Sequence, residues 1–334
     1  MTNNIYKQKR YFGMALDPIH IGTGGYRLGR VDNAIVREPG SNIPKIPGTS
    51  IEGVARTYSY YKEIESIGEC KPKEKICAVG KKMKIKGEEK EPCGNCPVCI
   101  TYGYTTDEKS LHGMAQFSDA RILFFPVHSM IGPVWVTTAE ILKEIVTKDD
   151  KNKITNASVE NTIKIGDKIH TNNSQKLNLG WLYLKTEKGG DIKNINVDIG
   201  DNETKKLNEV INEEILKRYV IVSGELFQQI VNSNLEVRTS VAIDPTTGAA
   251  EEGALYTYEA IPRATVFWFS VTANNPKNFD VPDNWKSKSP DDVINKVNAG
   301  LELFEFLGVG GMGTRGFGRL RILNLNENGG DRNE

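Results

Sequence analysis

Asp17-Pro18-Ile19-His20-Ile21-Gly22-Thr23-Gly24-Gly25 is followed by Val31-Asp32-Asn33-Ala34-Ile35-Val36-Arg37, then by Ile43-Pro44-Lys45-Ile46-Pro47-Gly48-Thr49-Ser50-Ile51-Glu52-Gly53-Val54-Ala55-Arg56. Upstream, residues 9 to 16 alternate, with Phe12, Met14 and Leu16 on one face, the pattern of a half-buried strand. Downstream, Thr49 and Glu52 have the spacing of a capping box, and Ile51, Val54, Ala55, Tyr58 and Tyr61 fall on one helical face. A strand and an amphipathic helix therefore bracket two loops that hold a histidine, an aspartate and clustered glycines. Without a Cβ, Gly22, Gly24 and Gly25 let backbone N–H groups approach a phosphate or ribose. The helix N-terminus brings partial positive charge to the same place. Glycine turns are also common as plain connections, so these residues alone leave both readings open.

The chain has 334 residues and a formal net charge of zero, so any nucleic-acid surface must come from local clustering and not from overall basicity. No apolar run approaches the ~20 residues of a membrane span and no charged-then-apolar leader opens the chain, so a soluble, cytoplasmic protein is expected, with no membrane partner. All five cysteines lie between Cys70 and Cys99, which argues for metal and against a disulfide framework. Cys93-Gly94-Asn95-Cys96-Pro97-Val98-Cys99 contains two overlapping Cys-x2-Cys knuckles that aim several sulfurs at one centre, as structural zinc requires. Cys77 is taken as the fourth ligand, with Cys70 and His112 as alternatives. The cysteines belong to an insertion over residues 68–102. Its residues 71 to 91 carry eight lysines and four glutamates, a solvated face or a phosphate contact.

Further along, residues 114 to 127 read as a buried strand, and Thr137 or Thr138 caps a short helix. Residues 148–206 are polar with isolated apolar clusters, and Leu179-Gly180-Trp181-Leu182-Tyr183-Leu184 suggests a projecting, thumb-like hairpin. Helices are expected over 205–218 and 224–232, flanking a strand at 219–222. Arg238 to Gly248 reads as polar and turn-rich, and strands follow over 253–262 and 265–273. Ser289 and Pro290 open a last helix. Gly308 ends it, and a glycine-rich loop to Gly318 follows. Residues 325–334 read as a disordered tail. Runs of strands and helices in this order indicate an α+β fold within a single domain, 1–334.

Three segments resemble the RAMP superfamily, the RNA-binding subunits of type III CRISPR complexes: the opening stretch, Gly113 to Ser129 with its Phe117-Ser118-Asp119-Ala120-Arg121 core, and Gly308 to Arg319. The second segment is similar to that of the type III-B (Cmr) backbone subunit. The resemblance implies a ferredoxin-like, RNA-recognition-type core with large insertions, and a subunit that polymerises along a guide RNA with further copies of itself and other subunits. It also implies cleavage of the paired target RNA, dependent on Mg²⁺ or Mn²⁺. It places Asp32 as the catalytic carboxylate, with His20 orienting or protonating and Glu259 and Tyr258 nearby. Guide contacts fall to Gly22, Gly24, Gly25, Arg37, Lys45, Ser50, Arg56, Gly310, Gly311, Gly313, Arg315 and Gly316. Glu52 departs from the family, which has a lysine there. A non-catalytic backbone subunit and the equivalent type III-A (Csm) subunit are the alternatives.

Overall fold

The computed structural model describes residues 5–24, 31–65, 76–156, 162–166, 169 and 175–325, the side chains of 252–254 excepted. Gly25, Cys70 and the tail beyond residue 325 lie outside the described residues. The principal strands are β1 (Tyr6–Ala15), β2 (Lys45–Ile46), β3 (Ala115–Phe117), β4 (Ala120–Ser129), β5 (Gly132–Thr138), β6 (Thr162–Ile165), β7 (Lys176–Leu179), β8 (Leu182–Lys188), β9 (Tyr219–Val222), β10 (Glu236–Ile243), β11 (Ala250–Ala260), β12 (Val266–Asn274) and β13 (Leu320–Ile322). The principal helices are α1 (Gly48–Glu65), α2 (Ile76–Val79), α3 (Pro97–Tyr102), α4 (Ala139–Ile145), α5 (Gly224–Ser233) and α6 (Pro290–Leu301).

Eleven strands form one mixed sheet in the order β7-β8-β6-β9-β5-β4-β12-β1-β13, with β2 on β4 and β3 on β12. The fold is mixed α/β. At the centre of the helix-covered end of the sheet, β1 runs antiparallel to both β12 and β13, and β12 antiparallel to β4. Helix α1 connects β1 towards β4, and α6 connects β12 to β13. Both faces of this centre are covered. Tyr11, Phe267 and Phe269 pack with Ile51, Ala55, Val293 and Val297 of α1 and α6. Phe12, Phe124 and Val266 face Leu142, Ile195, Val197 and Leu207. The second half of β1 is therefore buried on two sides, not half-buried, because a strand with helices on one face and a polar-looking insertion on the other needs apolar residues in both phases. Each large side chain buried here contributes about 2–3 kcal/mol.

Several local expectations change for physical reasons. α1 begins at Gly48, one residue early, and Thr49 with Glu52 is not its cap. Instead the Asp119 carboxylate accepts the Gly48 N–H at 2.8 Å and holds Lys45 Nζ at 2.5 Å. That reach interrupts the expected 114–127 strand, which splits into β3 and β4 around Ser118-Asp119. Gly48 must be glycine because a Cβ would lie 2.6 Å from the Phe117 carbonyl. The 205–218 helix breaks into two short turns, Leu207–Val210 and Glu213–Lys217.

The hairpin around Trp181 forms as β7–β8, yet it extends the main sheet and does not project. Much of 148–206 serves the core through Ile154, Ile192, Ile195, Val197 and Ile199. One of the two-stranded ribbons outside the sheet is β10–β11, whose first strand falls where a polar, turn-rich segment had been expected. Its Val237, Val241, Ile243 and Leu255 are exposed, a stripe with the period of a strand and no core to face. Thr138 caps α4 by accepting the Ile141 N–H, and Ser289 with Asp292 forms a capping box on α6. No helix among the described residues is long and apolar enough to cross a membrane.

Candidate functional site

Three segments distant in sequence meet beside the ribbon. The His20 turn lies along 33–37: Val36 N–H donates to the Ile21 carbonyl and Gly22 bridges Ile35. The 33–37 segment lies parallel to β11, with Asn33 N–H to the Thr257 carbonyl and Glu259 N–H to the Asn33 carbonyl. The glycine-rich loop docks on the turn through Gly311 N–H to the His20 carbonyl and Gly318 N–H to the Pro18 carbonyl, both 2.9 Å. Gly310, at φ +89°, leaves no room for a Cβ, which would fall 2.6 Å from the His20 carbonyl.

Asp32 is exposed at this seam. Its Oδ2 accepts the Thr257 backbone N–H at 2.8 Å and the Thr257 hydroxyl at 2.9 Å. Those two bonds hold its carboxyl below the usual carboxylate range, so it is ionised at neutral pH. Thr257 escaped the sequence reading, since nothing local links it to an aspartate 225 positions away.

His20 is buried, 6% exposed. Its Nδ1 is 2.6 Å from the Glu259 carbonyl, which can only accept, so Nδ1 carries the proton and Nε2 is the basic nitrogen. A Cβ on Gly22 would lie 3.2 Å from that Nε2, so the turn covers the far edge of the ring. Glu259 is also buried, and both its oxygens are engaged: Oε1 pairs with Arg37 Nη2 at 2.6 Å and Oε2 accepts the Ile35 N–H at 3.3 Å. Arg37 and Glu259 are thus bound to each other. Tyr258 packs edge-on against His20 at 5.9 Å. Arg315, exposed on the glycine loop, donates Nη1 to the Tyr258 hydroxyl at 3.0 Å and to the Tyr256 hydroxyl at 3.3 Å.

The structure gathers Asp32, His20, Tyr258, Glu259, Arg37, Gly22, Gly310, Gly311 and Arg315 around the seam. Gly24, Gly313 and Gly316 are exposed on the same two loops. Ser50 lies in the first turn of α1, half-buried, and Lys45 is neutralised by Asp119. Arg56 is no RNA contact. It is buried under α1, giving Nε and Nη2 to the Cys77 carbonyl and Nη1 to the Tyr102 carbonyl.

That guanidinium ties down the second site. The sulfurs of Cys77, Cys93, Cys96 and Cys99 all lie within 4.8 Å of one another and can hold a metal ion. Cys77 supplies the fourth sulfur from α2, and His112 is exposed and outside the group. Cys99 N–H points at Cys96 Sγ and Cys93 N–H at Cys77 Sγ, the backbone donors that steady thiolate charge. Among the insertion's described lysines, Lys82 pairs with Glu89 and Asp107 and Lys90 with Glu88.

The RAMP superfamily model matches residues 14–321. The chain is 28% identical over 323 residues to the CRISPR system Cmr endoribonuclease Cmr4 of Pyrococcus furiosus, covering 94% of this chain and 95% of that one. Its fold is similar to a subunit in the cryo-EM structure of the Type III-B Cmr-beta bound to cognate target RNA, with TM-score 0.59, 16% identity and coverage of 95% and 97%. It is also similar to the crystal structure of oligomeric Cmr4 from Pyrococcus furiosus, with TM-score 0.54, 22% identity and coverage of 95% and 96%. A family match that begins inside β1, takes in both loops of the seam and ends within β13 makes this chain a member of the RAMP superfamily.

Proposed function

We propose that this chain is the guide-RNA-binding backbone subunit of a type III-B CRISPR ribonucleoprotein, which aligns with further copies of itself and other subunits along the guide and cuts the paired target RNA at regular intervals. The observation that carries the reading is the exposed, ionised Asp32 fixed at a seam of backbone donors. It stands in a chain similar over nearly its full length to a Cmr endoribonuclease. That near-complete match favours the type III-B assembly over type III-A.

Glycine-loop N–H groups and Arg315 would take guide phosphates, which sets register, while base pairing reads sequence. Asp32 would accept the proton of the target's 2′-hydroxyl as that oxygen attacks the adjacent phosphorus. With both Glu259 oxygens engaged, Mg²⁺ or Mn²⁺ at Asp32 would draw its other ligands from RNA phosphate and water, and would supply charge neutralisation at the phosphate. At the cysteines we infer zinc. Bonds of about 2.3 Å in a tetrahedron put sulfurs about 3.8 Å apart, and the Cys77–Cys93 and Cys93–Cys99 separations are 3.6 and 4.0 Å. Four sulfurs leave no open position, so the ion is structural. The central order β4-β12-β1-β13, with α1 and α6 as its two crossovers, supports a ferredoxin-like core. We assign the thumb implied by the resemblance to the β10–β11 ribbon in place of residues 148–206, on the strength of its exposed apolar stripe.

The test is target cleavage by the reconstituted complex, wild type against Asp32→Asn at equal guide occupancy. Regularly spaced cuts lost in the variant, with target binding kept, are expected. Cuts unaffected by the change would make the chain a non-catalytic backbone.

A further inference from the structure

A carboxylate has two oxygens, and in Asp32 they are not equivalent. Oδ2 accepts both the Thr257 N–H at 2.8 Å and the Thr257 hydroxyl at 2.9 Å, while Oδ1 meets no partner among the described residues. The same hydroxyl oxygen accepts the Asp32 N–H at 3.0 Å, which closes a ring that grips the aspartate by backbone and side chain at once. The Thr257 carbonyl takes the Asn33 N–H at 3.0 Å and the Asn33 Nδ2 at 3.4 Å. Every polar atom of Thr257 is therefore engaged with residues 32 and 33.

Alternation along β11 keeps this grip apart from the neighbouring rings. Tyr256 and Tyr258 turn their hydroxyls to Arg315, whereas Thr257 and Glu259 turn to the 32–37 segment, Glu259 through the Ile35 N–H and Arg37. Threonine has the side chain this task needs. Its branched Cβ restricts χ1, which keeps the hydroxyl aimed, and that hydroxyl can donate to the carboxylate while accepting the amide. Asp32 itself is exposed. Without the grip its side chain would turn between staggered wells in water, with either oxygen outward.

Resting on the reading of Asp32 as the centre of a ribonuclease, we propose that Thr257 is the positioning residue of that centre: it holds Asp32 in one rotamer by Oδ2 and leaves Oδ1 as the oxygen that acts on the target. Thr257 works through Asp32 and needs no contact with RNA. Its contribution belongs to the step after target binding, where a displacement of about 1 Å in an acting group costs on the order of 100-fold in rate. A site so exposed keeps its geometry only through supporting bonds of this kind.

The experiment compares wild-type, Thr257→Val and Thr257→Ser complexes assembled on guide RNA, with cleavage followed across a range of target concentrations. Valine keeps the shape and the strand preference of threonine and removes only the hydroxyl; serine returns the hydroxyl. Thr257→Val is expected to assemble with guide as wild type does, to keep its KM for target, and to lose about 10-fold to 100-fold in kcat. Thr257→Ser is expected to recover most of that loss. Wild-type kcat in Thr257→Val, a loss confined to KM or to guide occupancy, or an equal loss in both variants would overturn the proposal. Asp32→Asn serves as the separate control: full cleavage by that variant would instead overturn the reading on which this one rests.

Discussion

The seam at Asp32 and the four-cysteine centre are built in opposite ways. The cysteine centre is closed and short in sequence: three of its sulfurs come from seven consecutive residues and its backbone donors from the same knuckles. The seam is open, and Asp32, Arg37 and His20 in it are each held by a partner more than 200 positions away: Asp32 by Thr257, Arg37 by Glu259, His20 by the Glu259 carbonyl. A structural metal needs enclosure, which local sequence can supply. A site that must admit a polynucleotide has to stay exposed, so its rigidity must come from strand pairing elsewhere in the chain.

That contrast can be broken. The largest effect is expected from Cys96→Ser or strong chelation. One zinc per chain should fall to none, and hydrogen exchange should report loss of protection over 76–111, since a structural zinc stabilises small modules by about 10 kcal/mol. Amides of 257–259 should stay protected; if they open too, the two sites are one cooperative unit. Next is Glu259→Ala, which strands the half-buried Arg37 and should cost about 3 kcal/mol in chemical denaturation, while leaving the metal content unchanged.

Thr257→Val sharpens the picture at the seam. The folded carboxyl of Asp32 is lowered, so its favourable contribution is present above the unfolded value and is lost as pH falls through the folded one. Removing the hydroxyl donor raises the folded value, so the acid limb of target cleavage should move to higher pH, with zinc retention unaltered. The smallest effect is expected from Trp181→Ala. This side chain is 73% exposed at the β7–β8 turn, and stability should change by no more than about 0.5 kcal/mol.

What could be read in advance follows the same division. The Cys-x2-Cys knuckles, the Thr138 cap and the Ser289–Asp292 box are local devices, visible within a few residues. Asp32 and the glycine loops were legible through their resemblance to a family. Arg56 was not, because its acceptors are backbone carbonyls 21 and 46 positions away that carry no side-chain signature. Glu259 was read as a catalytic neighbour of Asp32 because the Arg37 pairing exists only after β11 is laid beside 33–37. The ribbon was misread because Asp244-Pro245-Thr246-Thr247-Gly248 marks its turn so strongly that the alternation of Val237, Val241 and Ile243 before it passed for loop.

The place of β1 has a consequence for how the molecule is made. Its two neighbours are β12 and β13, and the Pro18 and His20 carbonyls are fastened by Gly318 and Gly311. During synthesis the first strand leaves the ribosome with neither flank available, and waits on the order of ten seconds to a minute at ordinary elongation rates. The seam at Asp32 therefore closes among the last events of vectorial folding, and a prematurely terminated chain carries the cysteine module without that seam.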